Sequence, residues 1–587
     1  MSSTALDGLD EQQLDAVTTL RGPLAVLAGA GTGKTRVITR RIAHGVDTGA
    51  YSPGRVMAVT FTAKAAGEMR GRLRALGVEG VGARTFHAAA LAQLNFFWPS
   101  VAGDSAPGIV DNKVRMLAHA ADGLRMDLDR ATLRDVASEI EWRKVTMRSI
   151  EQYAQARPNG IGALDGLAVV HLQRAYEKLK DERRQLDFED VLLACAGMLE
   201  AEPRVAQAVR EQYRHFTVDE FQDVSPLQER LLGLWLGERR DLCVVGDASQ
   251  TIYSFAGADA RYLLDFERVH EGAKVVRLER NHRSDAPVLA VANALMRGRP
   301  GALTLVAAHD GDDAPTPTVA VYGDDEDEAR GVARAVAAQI ASGVDPRRIA
   351  VLYRARSQSP EFLRALADEQ VATTVLGGTR FFDMPEVRQA VMALRAAAVA
   401  PLETTFRDAV RDVLRSLGLT DDPPPAGGAV RDAWEARAAI MRLADEAPQG
   451  ATLRTFADEL VARAKAQDEP GLRTVTLATL HAAKGLEWDH VHLVGLSEGL
   501  LPIAYATTFE QVDEERRLAY VGITRAARTL SLSWSRGQGR IERQPSRFLR
   551  EIGSGSLRAA DARATRAGGN RSSSSANARS GAPTRTG

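Results

Sequence analysis

The stretch from Leu24 to Arg36, LAVLAGAGTGKTR, constrains this chain more than any other. An apolar run ends in small residues and closes on Gly33-Lys34-Thr35, in the order strand, loop, helix. Small residues let backbone N–H groups curl around a polyphosphate, and Lys34 adds a point charge at its β and γ oxygens. Thr35 offers a hydroxyl to Mg²⁺, and the following helix turns its positive end to the anion. Ala28, Gly29, Ala30, Gly31, Thr32, Gly33, Lys34 and Thr35 are therefore the candidate nucleotide cradle. The strict pattern has Gly where Ala28 stands.

A strand that feeds such a loop belongs to a parallel sheet, and the neighbouring sequence supplies one. Arg55 to Thr62 reads as a strand running into a helix at Ala63–Met69, and Ala83 to His87 leads into another helix. Strands followed directly by helices form βαβ units, whose ligands sit beyond the C-terminal strand ends. Phe216-Thr217-Val218 precedes Asp219-Glu220. Asp219 is placed to hold Mg²⁺ and Glu220 to orient and deprotonate a water; acids that simply start a helix are the plainer reading. Leu242 to Asp247 is another strand, and Gln250 beyond it is placed to sense a γ-phosphate. Tyr253 and Phe255 are either core or a platform on which bases stack. Gln13 has the amide needed to read an adenine edge, and also fits an ordinary helix start.

A second α/β half begins at Lys274. Its strands read Lys274–Leu278, Ile349–Tyr353, Thr474–Leu480, Val491–Gly495 and Thr529–Trp534, and none is followed by GKT. The fold class is thus α/β, with two RecA-like parallel sheets of which only the first carries phosphate-binding equipment. Arg283 and Arg525 lie in the second half, where each is either a charge lent to the nucleotide or a structural ion pair. Helical patterns interrupt both halves. The expected divisions are 1–90 with 181–273, a helical insertion 91–180, 274–378 with 472–552, a second insertion 379–471, and a tail 553–587. Asp421 to Gly428 reads as a loop, and the acidic run Asp324 to Glu328 as a solvated helix start. From Glu551 onward six arginines face two acids, a stretch that cannot bury a core.

Composition sets the remaining bounds. With 587 residues there is room for about four domain-sized units. The net charge of −1 means that a nucleic-acid partner needs a local basic groove. Cys195 and Cys243 stand far apart without a CxxC, which points to a reducing interior. The polar, acidic start is no signal peptide, and no apolar run approaches the roughly 20 residues of a membrane span. A cytoplasmic protein without membrane contact is expected.

Ten ordered motifs carry a resemblance: GAGTGKTR, TFTAKAAGEM, TFH, LDFEDVLL, VDEFQD, VVGDASQTIYSF, LERNHRS, VLYRARSQ, TLHAAKGLEWDHVHLVGL and EERRLAYVGITRA. From Leu9 to about Phe548 the chain resembles the UvrD/Rep/PcrA type of superfamily 1A DNA helicase. The resemblance implies ATP and Mg²⁺ as cofactors, single-stranded DNA and single-strand/duplex junctions as partners, and 3′→5′ movement in DNA repair, replication or recombination. It implies that Gln13, with Arg36 and His282 as a sandwich, holds adenine, and that Glu487 reaches the ribose. Lys34, Thr35, Asp219, Glu220, Gln250, Arg283 and Arg525 would bind, activate and sense the triphosphate. Phe61, Thr62, Thr85, His87, Tyr253, Phe255 and His481 would line the DNA track. The second helical insertion would be the mobile 2B domain.

The sequence departs from that family's pattern in places. His282 stands for a usual Tyr, Ala256 for an Arg and Ala63 for an Asn, and the 2B stretch is short. Two alternatives to an unwinding motor follow: a translocase that strips proteins from single strands, and a DNA-binding protein that nucleotide merely switches.

Overall fold

The computed structural model describes residues 4–560 except 162–163, 310–313, 377–380, 399–403, 423–428, 446, 449, 467–472 and 538–541. Two parallel sheets organise it. The first has β1 (Leu24–Ala28), β2 (Val56–Thr60), β3 (Gly82–Thr85), β4 (His215–Val218), β5 (Leu242–Gly246) and β6 (Lys274–Leu278), in the spatial order β3-β2-β4-β5-β1-β6. Its central strands are buried and mostly apolar on both faces because helices cover both. Leu24, Val26 and Ala28 of β1 pack with Val37, Ile38 and Ile42 of the helix Lys34–Asp47. Ala25 turns to the other face, with Val59, Phe216 and Val244, against the helices Phe86–Ala102, Phe188–Ala201 and Pro226–Leu236.

The second sheet has β7 (Thr318–Tyr322), β8 (Ile349–Tyr353), β9 (Thr373–Val375), β10 (Val475–Thr479), β11 (Trp488–Leu493), β12 (Ala526–Ser535) and β13 (Arg558–Ala559), in the order β9-β10-β8-β11-β12-β7-β13. Every pairing in it is parallel. Ala350, Leu352, Leu493 and Leu532 form one face of its core, and that core takes in Ala30 and Ile252 from the first half. The two halves thus share buried apolar contact beside the nucleotide loop.

Lys274–Leu278 does not open the second half: it is the edge strand β6, pairing Val26 with Val276 alongside β1. A short apolar strand says nothing of which sheet it joins; the register with β1 decides it. The helix Phe86–Ala102 buries Phe86, Ala90 and Leu94 in the core of the first sheet. The first helical insertion has its own core, built from Met116, Leu117, Ile140, Tyr153, Leu172 and Tyr176. Its stem is a ribbon pairing Gly108–Ile109 with Gln185–Leu186. Among the described residues the second insertion has four α-helices, Pro385–Ala397, Phe406–Ser416, Ala429–Asp445 and Leu453–Ala466, around Val387, Leu394, Val410 and Ile440. Its expected limits at 379 and 471, and the loop residues 423–428, lie outside the described residues. The expected tail begins too early, since Arg558–Ala559 pairs with Thr318–Val319 at the sheet edge; residues 561–587 lie outside the described residues. Nor is the acidic helix start wholly solvated. Asp324 caps the helix Asp325–Ala341, but Glu328 is buried, accepting Ser533 Oγ at 2.5 Å and the Gly495 N–H at 2.8 Å. Among the described residues no helix is long and apolar enough to cross a membrane.

Candidate nucleotide and nucleic-acid site

In a parallel sheet every strand ends on the same edge, so residues remote in sequence meet there. The loop 29–33 follows β1, Asp219 and Glu220 follow β4, Gln250, Tyr253 and Phe255 follow β5, and His282 and Arg283 come shortly after β6. Phe61 and Thr62 follow β2; Thr85 ends β3, with His87 beyond it. From the second half come His481 and Glu487, between β10 and β11, and Arg525 just before β12.

A cleft of about 320 Å³ lies between the halves. Gly29, Ala30, Gly31, Gly33, Lys34, Thr35, Arg36, Glu220 and Gln250 line it from the first half, together with His282 and Arg283, which follow the first sheet's edge strand and so do not come from the second half as expected; Glu487 and Arg525 face them from the second half. Ala28 and Thr32 are buried behind the loop rather than in the cleft. The Ala28 carbonyl accepts Lys34 Nζ at 3.2 Å, and the Thr32 carbonyl accepts Gln13 Nε2 at 2.9 Å. Gly31 has φ 69°, and a Cβ there would stand 2.5 Å from Asn281 Nδ2 and 2.8 Å from Arg283 Cβ. The loop therefore needs glycine at 31 because the 281–283 turn is packed on it. That turn is tied down as well: Asn281 Nδ2 donates to the Ala30 carbonyl at 2.6 Å and His282 N to the Gly31 carbonyl at 2.9 Å.

Glu220 stands at φ 53°, a left-handed conformation uncommon for a non-glycine residue, at the place where the chain leaves β4. Gln222 holds its carboxylate, donating from Nε2 to Glu220 Oε2 at 2.6 Å while Gln222 Oε1 accepts the Asp247 N–H at 3.0 Å. Burial would raise the Glu220 carboxyl, but Lys34, Lys484 and the Gln222 hydrogen bond outweigh it and keep the group below its ordinary range. Asp219 next to it is buried, and burial followed by the Glu220 charge pushes it well above the carboxylate range. Gln250 bridges the halves: its Nε2 donates to Asp247 Oδ2 at 2.7 Å, and its Oε1 accepts Arg525 Nη2 at 3.4 Å.

The two arginines differ. Arg283 Nε meets Glu487 Oε2 at 2.5 Å, and that carboxylate is mostly exposed. Arg525 is 2% exposed and donates to the carbonyls of Val521 and Leu486, both at 3.0 Å, with no carboxylate bridge among the described residues. Burial, then the Arg283 charge, pushes its guanidinium down to about 9. Such a cation, held by neutral carbonyls at the wall of a cleft, suits an anion within it. Lys484, from the second half, lies 3.9 Å from Glu220 and bonds Asp223 and the Gln250 carbonyl.

At the adenine position the arrangement departs from the simple expectation. Gln13 is buried, not on a surface helix start, and its amide already serves Thr32 and the capping box with Asp10. His282 Nε2 lies 3.1 Å from Asp10 Oδ2, while Arg36 donates to the Gly8 carbonyl at 2.7 Å.

The aromatic residues form two groups. Tyr253, Phe255 and His481 make a triangle of rings with centroid separations of 6.1, 6.3 and 5.9 Å, joining the two halves. Phe255 is 64% exposed. Phe61 stands edge-on to the buried Phe86 at 6.4 Å, and His87 stacks at 4.0 Å on Phe188, itself 57% exposed. Burial holds both His87 and His481 down to about 4, so both rings are neutral at pH 7. Thr62 and Thr85 cap helices, each accepting an N–H at 3.1 Å, from Ala65 and Ala88. Gln222, Lys484, Asn281, Asp247 and Phe188 had not been singled out from the sequence; each sits inside a quoted motif, but their contacts are tertiary.

The chain matches two family models, the UvrD/REP helicase N-terminal domain over residues 9–271 and the UvrD-like helicase C-terminal domain over 276–418 and 443–537. It is 46% identical over 577 residues to the ATP-dependent DNA helicase UvrD2 of Mycobacterium tuberculosis, covering 94% of this chain and 82% of that protein. It is 29% identical over 641 residues to the ATP-dependent DNA helicase Rep of Escherichia coli, covering 93% and 94%. To DNA helicase II of the same organism it is 28% identical over 652 residues, covering 94% and 88%.

Proposed function

The chain belongs to the UvrD/REP helicase family and is an ATP-dependent DNA helicase, and on that premise we propose that it moves 3′→5′ along single-stranded DNA and opens duplex at single-strand/duplex junctions. Its setting is DNA repair, replication or recombination in the cytoplasm. One observation carries the reading. The cleft that joins Lys34 and Glu220 to Glu487 and Arg525, and the ring triangle that joins Tyr253 and Phe255 to His481, cross the same interface between the halves. A change in cleft width is then also a change in the grip on bases, which is what a domain-closure motor requires.

Lys34 and the loop amides bind the phosphates, Glu220 takes the proton of the attacking water, and Gln222 sets that carboxylate. Arg283 and Arg525 stabilise charge on the γ-phosphoryl oxygens, while Gln250 relays the position of Arg525 to Asp247. Gln13, Arg36 and His282 enclose the base, and Glu487 meets the ribose once it releases Arg283. Thr35 and Asp219 supply hard oxygen donors, and among the described residues no cluster of three or more acids, His or Cys forms a self-sufficient metal site. Thr35 and Asp219 would hold Mg²⁺, which would neutralise phosphate charge when bound. Phe61, Thr62, Thr85, His87, Tyr253, Phe255 and His481 form the track, with Phe188 extending it.

Strand displacement on 3′-tailed, 5′-tailed and blunt duplexes tests the reading. Displacement confined to 3′-tailed substrate with ATP is expected. Displacement from 5′ tails would overturn the polarity. DNA-stimulated hydrolysis without displacement of any duplex would leave a translocase in its place.

A further inference from the structure

The N-terminal ends of the first sheet's strands, opposite the nucleotide cleft, carry a second concave surface. A groove of about 660 Å³ is lined there by Arg21, Arg55, Arg214, Arg239 and Arg240 with His215, and Asp241 is the only acid among its lining residues. Each basic residue belongs to a strand entrance: Arg21 before β1, Arg239 and Arg240 before β5, Arg214 before β4, Arg55 before β2. Strands of five residues rising about 3.3 Å each set this groove roughly 16 Å from the edge that carries the P-loop.

The charge there is not compensated. Asp241 is spent on Arg21, at 2.9 Å, and on the Gly22 N–H at 2.8 Å, with His215 at 3.3 Å. The other four arginines meet no carboxylate within bridging distance among the described residues. Arg55, Arg239 and Arg240 donate only to the backbone carbonyls of Glu211, Tyr213 and Glu271. The nearby Glu211 carboxylate accepts Gln207 Nε2 at 2.9 Å. Burial, then the charges of Arg214 and Arg210, lowers the Arg239 guanidinium, against a smaller opposing effect of Glu211.

The arrangement is linear. β1, β5, β4 and β2 are consecutive neighbours; the four uncompensated arginines stand at β5, β4 and β2, two strand spacings or about 10 Å. One strand of duplex DNA presents a phosphate every 3.4 Å or so along the axis, hence about three over that length. Aromatic platforms are lacking in the groove: Tyr51 is buried beneath it against His215, and no aromatic residue other than the histidine lines it. Single strands are gripped by charge together with stacking, whereas duplex offers only its backbone.

We propose that this arginine row is a second DNA site, taking the sugar–phosphate backbone of duplex DNA without regard to sequence, at the pole opposite the nucleotide cleft. A second duplex segment would then be held while the cleft works on a single strand. The site is separate from the cleft, so its failure shows in duplex binding, and failure of the proposed function shows in DNA-stimulated hydrolysis.

The test compares the full chain with Arg55→Gln/Arg214→Gln/Arg239→Gln in titrations of a short blunt duplex and a single strand across a salt series. Loss of three phosphate contacts should lower the slope of log affinity against log salt for duplex by about 3, and weaken duplex binding at low salt at least about tenfold. Single-strand affinity and DNA-stimulated hydrolysis should stay at wild type. Arg55→Gln/Arg214→Gln, at two exposed residues, should give the same effect in smaller degree even if losing Arg239 disturbs the fold. Unchanged duplex affinity and slope would overturn the site. An equal fall for single strands would overturn its duplex character. Displacement of duplex by inorganic pyrophosphate at constant ionic strength would show a small-anion site instead and overturn the proposal.

Discussion

At the residue scale, the burial of the two arginines separates roles that their sequence positions leave alike. Arg283 pairs with an exposed Glu487, so Arg283→Ala should remove little stability. If Arg283 stabilises the transferring phosphoryl, its loss should lower kcat by roughly 10³–10⁵ with a much smaller change in the KM for ATP. Arg525 is buried with its donors committed to carbonyls. Arg525→Ala should therefore lower kcat and the melting temperature together, because unsatisfied acceptors cost on the order of 1–3 kcal/mol each. Thermal melts beside steady-state kinetics check both; a wild-type kcat in either variant removes that arginine from the site. Glu220→Gln should bind ATP normally and lose turnover by roughly 10²–10⁴, since an amide cannot accept the water's proton. Turnover near wild type would refute the assignment.

At the element scale, buried charge ties helices to sheets. Lys144, on the helix Arg130–Val145, lies 2.7 Å from Asp187 and 2.6 Å from Asp190 at the start of the helix Phe188–Ala201. It locks the first insertion onto the helix that covers the first sheet. Lys180 bridges the same two acids; Lys144→Met leaves this buried carboxylate charge with one lysine fewer and should cost roughly 3–5 kcal/mol, read as a lower urea midpoint, and an unchanged midpoint would show that Lys180 alone holds the acids. In β11, His492 is buried against Gln339, 3.0 Å away, and burial, then His490, lowers its pKa to about 4. A folded value below the unfolded 6.5 means that the unfolded chain binds the proton first. The stabilisation is complete above pH 6.5 and is lost as pH falls toward 4, up to roughly 3 kcal/mol. Denaturant midpoints from pH 7.5 to 5 should fall less in His492→Gln than in wild type. Equal slopes would exclude this histidine as a source.

At the scale of the whole molecule, the question is whether nucleotide and bases are read by one moving interface. Phe255 comes from the first half and His481 from the second, with ring centroids 5.9 Å apart. A base held between them depends on both, at roughly 1–3 kcal/mol per stacked base. Phe255→Ala and His481→Ala should each weaken single-strand binding, and the double variant should lose less than the two losses combined. Hydrolysis without DNA should be unaffected. Strictly additive losses would mean that the rings act as separate platforms.

What the sequence by itself determined was local and chemical. A strand feeding GAGTGKT and a second ending in Asp-Glu need no tertiary information to be recognised, because each short pattern carries its own chemistry, amides and a lysine for an anion, carboxylates for a metal ion and a water. Periodicity likewise marked the helical insertions and most strands. Tertiary structure decided what depends on which surfaces meet. It assigned Lys274–Leu278 to the edge beside β1 rather than to the second sheet, and added β7 with the two short edge strands β9 and β13. It buried Glu328 under the second sheet and Gln13 behind the loop, and it set Gln222 on Glu220. It also collected four uncompensated arginines, scattered from 55 to 240, at one end of a parallel sheet. Parallel strands place all their entrances on one edge, so residues remote in sequence become neighbours only once strand order exists.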